Sequence, residues 1–138
     1  MQVKSDSNGP ATFEAISPGS LQSRIVIEVS TGIAAPDGET TLRNALEAAE
    51  MLRKSGSEVR LVFDGAGTTW LSELSSRDHP LNRLFLRLME RVPVACGYCA
   101  QAFGVEKQVH DAGLVLVDYH GPSSFTDLIW QNYETFTY

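Results

Sequence analysis

The chain has 138 residues, 43% hydrophobic and 20% charged, with 17 acidic against 11 basic side chains and a formal net charge of −6. That length suits one domain with its own core, and the acidic balance argues against a nucleic-acid footprint, which needs clustered Lys and Arg, and against adsorption to anionic membranes. No apolar run approaches the roughly 20 residues of a membrane-spanning helix, and residues 1–20 lack the apolar stretch of a secretory signal, so the expected compartment is the cytoplasm.

Residues 1–23 are rich in Ser, Gly and Pro and read as an N-terminal tail. Within it, Phe13 and Ile16 are the apolar side chains expected to pack on the domain or on a neighbouring subunit. The domain then runs over 24–138. Residues 24–30 form a nearly continuous β-branched run, the pattern of a strand covered on both faces. The loop Thr31-Gly32 to Gly38 leads to a helix with Leu42, Ala45, Leu46, Ala49 and Leu52 on one face. Glu50/Lys54 is an i,i+4 pair on its outer face, and Gly56 stops it. Residues 58–63 make a second strand that ends at Asp64-Gly65.

The segment 65–78 is irregular, with a helical turn near Leu71 to Leu74. Pro80 opens another helix, with Leu81, Leu84, Phe85 and Leu88 facing inward. A short third strand precedes Cys96, followed by a short helix and a helical turn over 106–112. Residues 114–117 are a fourth strand. Ser124 and Asp127 have capping-box spacing for a last helix to about Gln131, and residues 133–138 are a terminal strand. Strands and helices alternate, which predicts an α/β/α sandwich on a five-stranded parallel sheet.

Both cysteines lie in Cys96-Gly97-Tyr98-Cys99, at the junction of the third strand with its helix. Two cysteines this close staple little, so the motif points to thiol chemistry instead of a structural disulfide. A thiol at a helix start faces unpaired N–H groups, which favour the thiolate, the reactive form. Cys96 is therefore the candidate nucleophile. Cys99, one turn on, either resolves a persulfide or disulfide or simply packs. A thioredoxin-type redox pair is an alternative, but the motif follows a late strand here. Zinc needs about four ligands. Cys96, Cys99 and His110 offer three, with His120 more distant, so no metal is expected, and no other cofactor.

Open parallel sheets bind ligands at the C-terminal ends of their strands. That edge carries Thr31, Gly32, Asp64, Gly65, Trp70, Gly97, Tyr98 and His120 as candidate pocket residues. Glu28 is a carboxylate near the end of an apolar strand, a costly position unless it is paired or neutral. It is read as an acid–base group beside the cysteine loop or as the partner of an Arg or a subunit neighbour. Asp64 beside Gly65 reads first as a turn former. Trp70 reads as a lid or an interface anchor, and His79 as part of a helix start.

Residues 94–105, with Cys96 after a strand and Gly104 closing the short helix eight positions later, resemble the DsrE/DsrF-like family of YchN-like and sulfur-relay proteins. Thr31-Gly32, Phe63-Asp64-Gly65 and the terminal strand around Phe136 fit the same pattern, and Phe103 stands where relatives with such a cysteine pair often carry Arg. The resemblance implies a five-stranded parallel sheet, homotrimers or homohexamers, and a cysteine that carries persulfide sulfur between donor and acceptor proteins. Cys96 occupies that cysteine's position. The rival function is an oligomeric scaffold that binds a small molecule at the strand ends without turnover.

Overall fold

The computed structural model describes residues 23–91, 93–117 and 131–138. The elements in chain order are β1 (Arg24–Val29), α1 (Gly38–Lys54), β2 (Glu58–Phe63), a 3-10 segment (Gly65–Trp70), α2 (Leu71–Leu74), α3 (Asn82–Leu88), β3 (Val94–Cys96), α4 (Gly97–Ala102), α5 (Glu106–Asp111), β4 (Val115–Val117) and β5 (Glu134–Thr137). The strands form one five-stranded sheet in the order β4-β3-β2-β1-β5. Every pairing in it is parallel. The α/β fold with an all-parallel sheet is therefore the one its strand patterns predict. The tail side chains Phe13 and Ile16, the capping box at Ser124 and Asp127, and His120 all lie outside the described residues.

Side chains alternate across a strand, and that alternation divides the core. Ile25, Ile27 and Val29 of β1, Val59, Leu61 and Phe63 of β2, and Ala95 of β3 join one cluster. The helices meet them there with Leu42, Ala45, Leu46 and Ala49 of α1, Leu71 and Leu74 of α2, Leu84, Phe85 and Leu88 of α3, Ala100 of α4 and Val109 of α5. Phe63 and Phe85 meet edge to face at 6.2 Å, a geometry worth about 0.5–1.5 kcal/mol beyond burial. The other parity, Val26, Val62 and Val94, packs with Tyr133 in a second cluster. This second face leads to the site.

Small differences from the sequence pattern have local causes. α3 begins at Asn82 instead of at Pro80, because the chain first makes a turn in which Leu81 N–H donates to His79 Nδ1 at 3.1 Å. His79 thus belongs to the helix start, as its place before Pro80 suggests. Glu50 lies 3.9 Å from Lys54, but it pairs more closely with Arg87 of α3, at 2.6 Å. Gly56 ends the first helix with a φ of 97°.

Candidate functional site

Continuing the second parity by one more step along each strand reaches the sheet's C-terminal edge. Val26 leads to Glu28, Val62 to Asp64 and Val94 to Cys96. β1 and β2 pair Glu28 with Val62, and β2 and β3 pair Val62 with Val94, so these positions are neighbours. Two carboxyls and a thiol meet here because three strands place the same parity on the same face.

The backbone around Asp64 is held on both sides. Its N–H donates to Val29 O at 2.9 Å, and its carbonyl accepts from Gly67 N–H at 2.8 Å. Its side chain caps the 3-10 segment by accepting from Gly65 N–H at 2.9 Å. The same oxygen, Oδ1, accepts a hydrogen bond from Cys99 Sγ at 3.3 Å. Asp64 is therefore a turn former and also a direct partner of the thiol pair. The sequence reading found the first role and missed the second.

Cys96 is 6% exposed and sits at the N-cap of α4, where its Sγ accepts Cys99 N–H at 3.2 Å. Both cysteines are free thiols. Cys99 is the more accessible of the two. Burial and hydrogen bonding with Cys96 and Asp64 push the Cys99 thiol up to about 12, with an opposing pull from the Gly65 backbone. Cys99 is thus a proton-bearing thiol across the physiological range.

Glu28 is 9% exposed. Its Oε1 accepts from Thr137 Oγ1 of β5 at 2.7 Å, and the backbone beside it is fixed by Tyr138 N–H donating to Glu28 O at 2.8 Å. Burial raises its carboxyl above the ordinary value, reinforced by a hydrogen bond with Asp64 and by that carboxylate's charge and opposed by the Thr137 hydroxyl. Among the described residues this buried acid meets a carboxyl and a hydroxyl beside the cysteine loop, not the Arg that was one of the expected partners. Two hydrogen-bonded acids, one of them joined to a thiol, form a chain of groups able to hold protons.

Asp64, Cys96 and Cys99 bring their ligand atoms within 4.8 Å of one another. Among the described residues that is one donor fewer than structural zinc takes, and Cys99 Sγ is hydrogen-bonded to Asp64 Oδ1. His110, weighed as a third ligand, is exposed on α5 beside Asp111 and outside this group.

The neighbouring loops are stitched together. Trp70 Nε1 donates to Thr31 O at 2.9 Å, and Ile33 N–H donates to Thr69 Oγ1 at 3.1 Å. Trp70 is 3% exposed, so it is a buried strut between the loops after β1 and β2, not the exposed lid or interface anchor its loop position suggested. Gly32 packs against Ala66, again joining these loops. Gly97 is the first residue of α4, and Tyr98 beside it projects outward at 73% exposure. Two surface clefts lie elsewhere, one lined by Ser72, Ser76, His79 and Pro80 and one by Arg53, Glu58 and Arg91.

A family model described as the DsrE/DsrF-like family matches residues 29–138. An uncharacterised protein of Methanocaldococcus jannaschii, MJ0733, is 29% identical over 68 residues, covering 49% of this chain and 55% of that protein. The chain thus spans about half the length of this relative. Among solved structures, a conserved protein of unknown function from Bacteroides thetaiotaomicron, BT1422, superposes with a TM-score of 0.58 at 14% identity, covering 81% of this chain and 95% of that one. The YchN protein of E. coli superposes with a TM-score of 0.53 at 20% identity, covering 86% and 100%. The structural matches carry the fold, and the family model covers Asp64, Cys96 and Cys99 of the strand edge: the chain belongs to the DsrE/DsrF-like family.

Proposed function

We propose that this protein is a cytoplasmic sulfur carrier that holds persulfide sulfur on Cys96. The observation that carries the reading is the division of labour within the cysteine pair. Cys99 is held as a thiol by burial and by its hydrogen-bonding partners, while its own N–H is directed at Cys96 Sγ. The nucleophile's role therefore falls to Cys96.

In loading, the Cys96 thiolate attacks the outer sulfur of a donor persulfide. A new S–S bond forms at Cys96 Sγ, the donor's own S–S bond breaks, and the donor leaves as a thiolate. The outer sulfur then lies about 2 Å beyond Sγ, which extends the reach of a thiol that is itself buried. In unloading, an acceptor thiolate attacks that outer sulfur and Cys96 departs as a thiolate. Neither step needs a metal or an organic cofactor. The partners in this reading are a sulfur donor, a sulfur acceptor and further copies of this chain in a homotrimer or homohexamer. The working unit is residues 24–138, with residues 1–23 as a tail. Among the described residues no helix is long and apolar enough to cross a membrane.

The test is intact-protein and peptide mass spectrometry after incubation with polysulfide and with a low-molecular-weight persulfide. The expected product carries one added sulfur atom on Cys96, is lost in Cys96→Ser and survives in Cys99→Ser. No adduct from either donor, or an adduct confined to Cys99, refutes the carrier reading and leaves the small-molecule scaffold as the better account.

A further inference from the structure

A persulfide on Cys96 has two fates in a two-cysteine site. An outside acceptor can take the outer sulfur, or Cys99 can attack Cys96 Sγ. In the second fate a Cys96–Cys99 disulfide forms, the bond to the outer sulfur breaks, and hydrosulfide leaves. Cys99 must first give up its proton, and a thiol reductant must later restore the pair. Which fate prevails depends on what holds the Cys99 proton.

The geometry around that proton is specific. Cys99 Sγ donates to Asp64 Oδ1 at 3.3 Å, and that oxygen is itself fixed by Gly65 N–H at 2.9 Å. Behind Asp64 stands Glu28, anchored by the Thr137 hydroxyl at 2.7 Å. The two carboxyls hydrogen-bond, and burial, reinforced by that contact, raises the Glu28 carboxyl above its ordinary value. Asp64 thus meets both groups, and its Oδ1 accepts from the Cys99 thiol. The titratable groups gathered here from the elements packed together are Glu28 of β1, Asp64 after β2, and Cys96 and Cys99 around the β3–α4 junction.

We propose that Asp64, backed by Glu28 and Thr137, is a positioning residue that locks Cys99 as a hydrogen-donating thiol, so that the site retains sulfur on Cys96 for transfer instead of releasing it as hydrosulfide. The retention half rests on the persulfide reading above; the lock on Cys99 does not. The alternative role for the same contact is that of a general base which takes the Cys99 proton and promotes release. The two roles predict opposite effects of removing the charge.

Asp64→Asn keeps an oxygen able to cap Gly65, because Asn caps such turns as well as Asp does. Asp64→Ser serves as a second variant with a different capping oxygen. Protein loaded with polysulfide and desalted is followed near neutral pH for hydrosulfide released and for the persulfide left on Cys96. The lock predicts faster release and a Cys96–Cys99 disulfide in Asp64→Asn, with the release abolished by adding Cys99→Ser. A hundredfold gain in Cys99 thiolate gives a rate gain on the order of tenfold, because thiolate nucleophilicity falls as pKa falls. Release that is unchanged or slower in both Asp64 variants overturns the proposal.

The second measurement needs no sulfur. Residue-resolved alkylation of Cys99 against pH should rise only in strongly alkaline solution in the native protein and should move to lower pH in Asp64→Asn. An unmoved profile overturns the lock. A moved profile without any sulfur adduct on native Cys96 supports the lock and overturns the persulfide reading, and the retention claim with it.

Discussion

Gly67→Ala tests whether the turn after β2 is as tightly built as its contacts imply. A Cβ at this position would lie 2.0 Å from Val29 O, 2.7 Å from Val29 C and 3.2 Å from Ser30 N. Carbon–oxygen contacts normally begin near about 3.3 Å, so the chain must yield by more than an ångström. The atoms in the way are backbone at the end of β1, not the tip of a flexible side chain. Val29 O also accepts Asp64 N–H at 2.9 Å, so separating the two segments strains that bond as well. Overpacking of this kind costs about 1–3 kcal/mol, and a weakened hydrogen bond about 1 kcal/mol more. The smaller unfolded-state entropy of Ala offsets about 0.4–1 kcal/mol. The expected net loss is about 2–3 kcal/mol, or a fall in Tm on the order of 10 °C for a chain of this size. Urea unfolding with an unchanged m-value is the assay. Gly104→Ala is the control: Gly104 has φ +71° with nothing within 4 Å of an added Cβ, so only the left-handed backbone penalises it, by about 1 kcal/mol. A Gly67→Ala protein within about 0.5 kcal/mol of native, or less affected than Gly104→Ala, refutes the argument that this close approach fixes Asp64.

Glu28 supplies a pH signature. Its folded-state carboxyl is raised, so its contribution is fully present below the ordinary value of 4.5 and is lost as pH climbs through the raised value. The Tm of Glu28→Gln relative to native should therefore improve on going from pH 4 towards pH 7, and a difference that stays flat with pH would mean the carboxyl is not perturbed. Assembly is the other expectation. Tyr98 at 73%, Phe103 at 49% and Phe136 at 45% exposure leave apolar side chains in solvent on the isolated chain, so light scattering at micromolar concentration should give a trimer or a multiple of it, and a monodisperse monomer would defeat the idea.

What could be read from the residues depended on whether the physics was local. Strand β2 and helical turn α2 fall where their apolar spacing and turn residues put them, because hydrophobic period and capping act within a few positions. Trp70 misled for the opposite reason. A large aromatic in a glycine-rich loop looks exposed, and only the long-range bond from its Nε1 to Thr31 O, across 39 residues, reveals a buried strut. Tyr133 is similar: nothing in its own short terminal segment shows that it is buried against Val26, Val62 and Val94, with its hydroxyl donating to Glu58.

Asp64 is the instructive case. As a residue beside Gly65 it is explained fully by turn chemistry, and that explanation is correct as far as it goes. The signal for its second role was present but distributed. Val26, Val62 and Val94 share one parity, and adding two to each number gives Glu28, Asp64 and Cys96. Strand alternation then puts two acids and a thiol on one face of the same edge, provided the three strands are neighbours in parallel register. Neighbour order is a tertiary fact that no single segment carries. Once it is known, the apolar face of the sheet and its reactive edge are the same rows of side chains, and the chemistry begins where the valines stop. A strand that ended one residue earlier would turn its acid or its thiol to the helix-covered face, where Val29, Phe63 and Ala95 lie fully buried. Strand length therefore decides, as much as residue type, that Asp64 reaches Cys99.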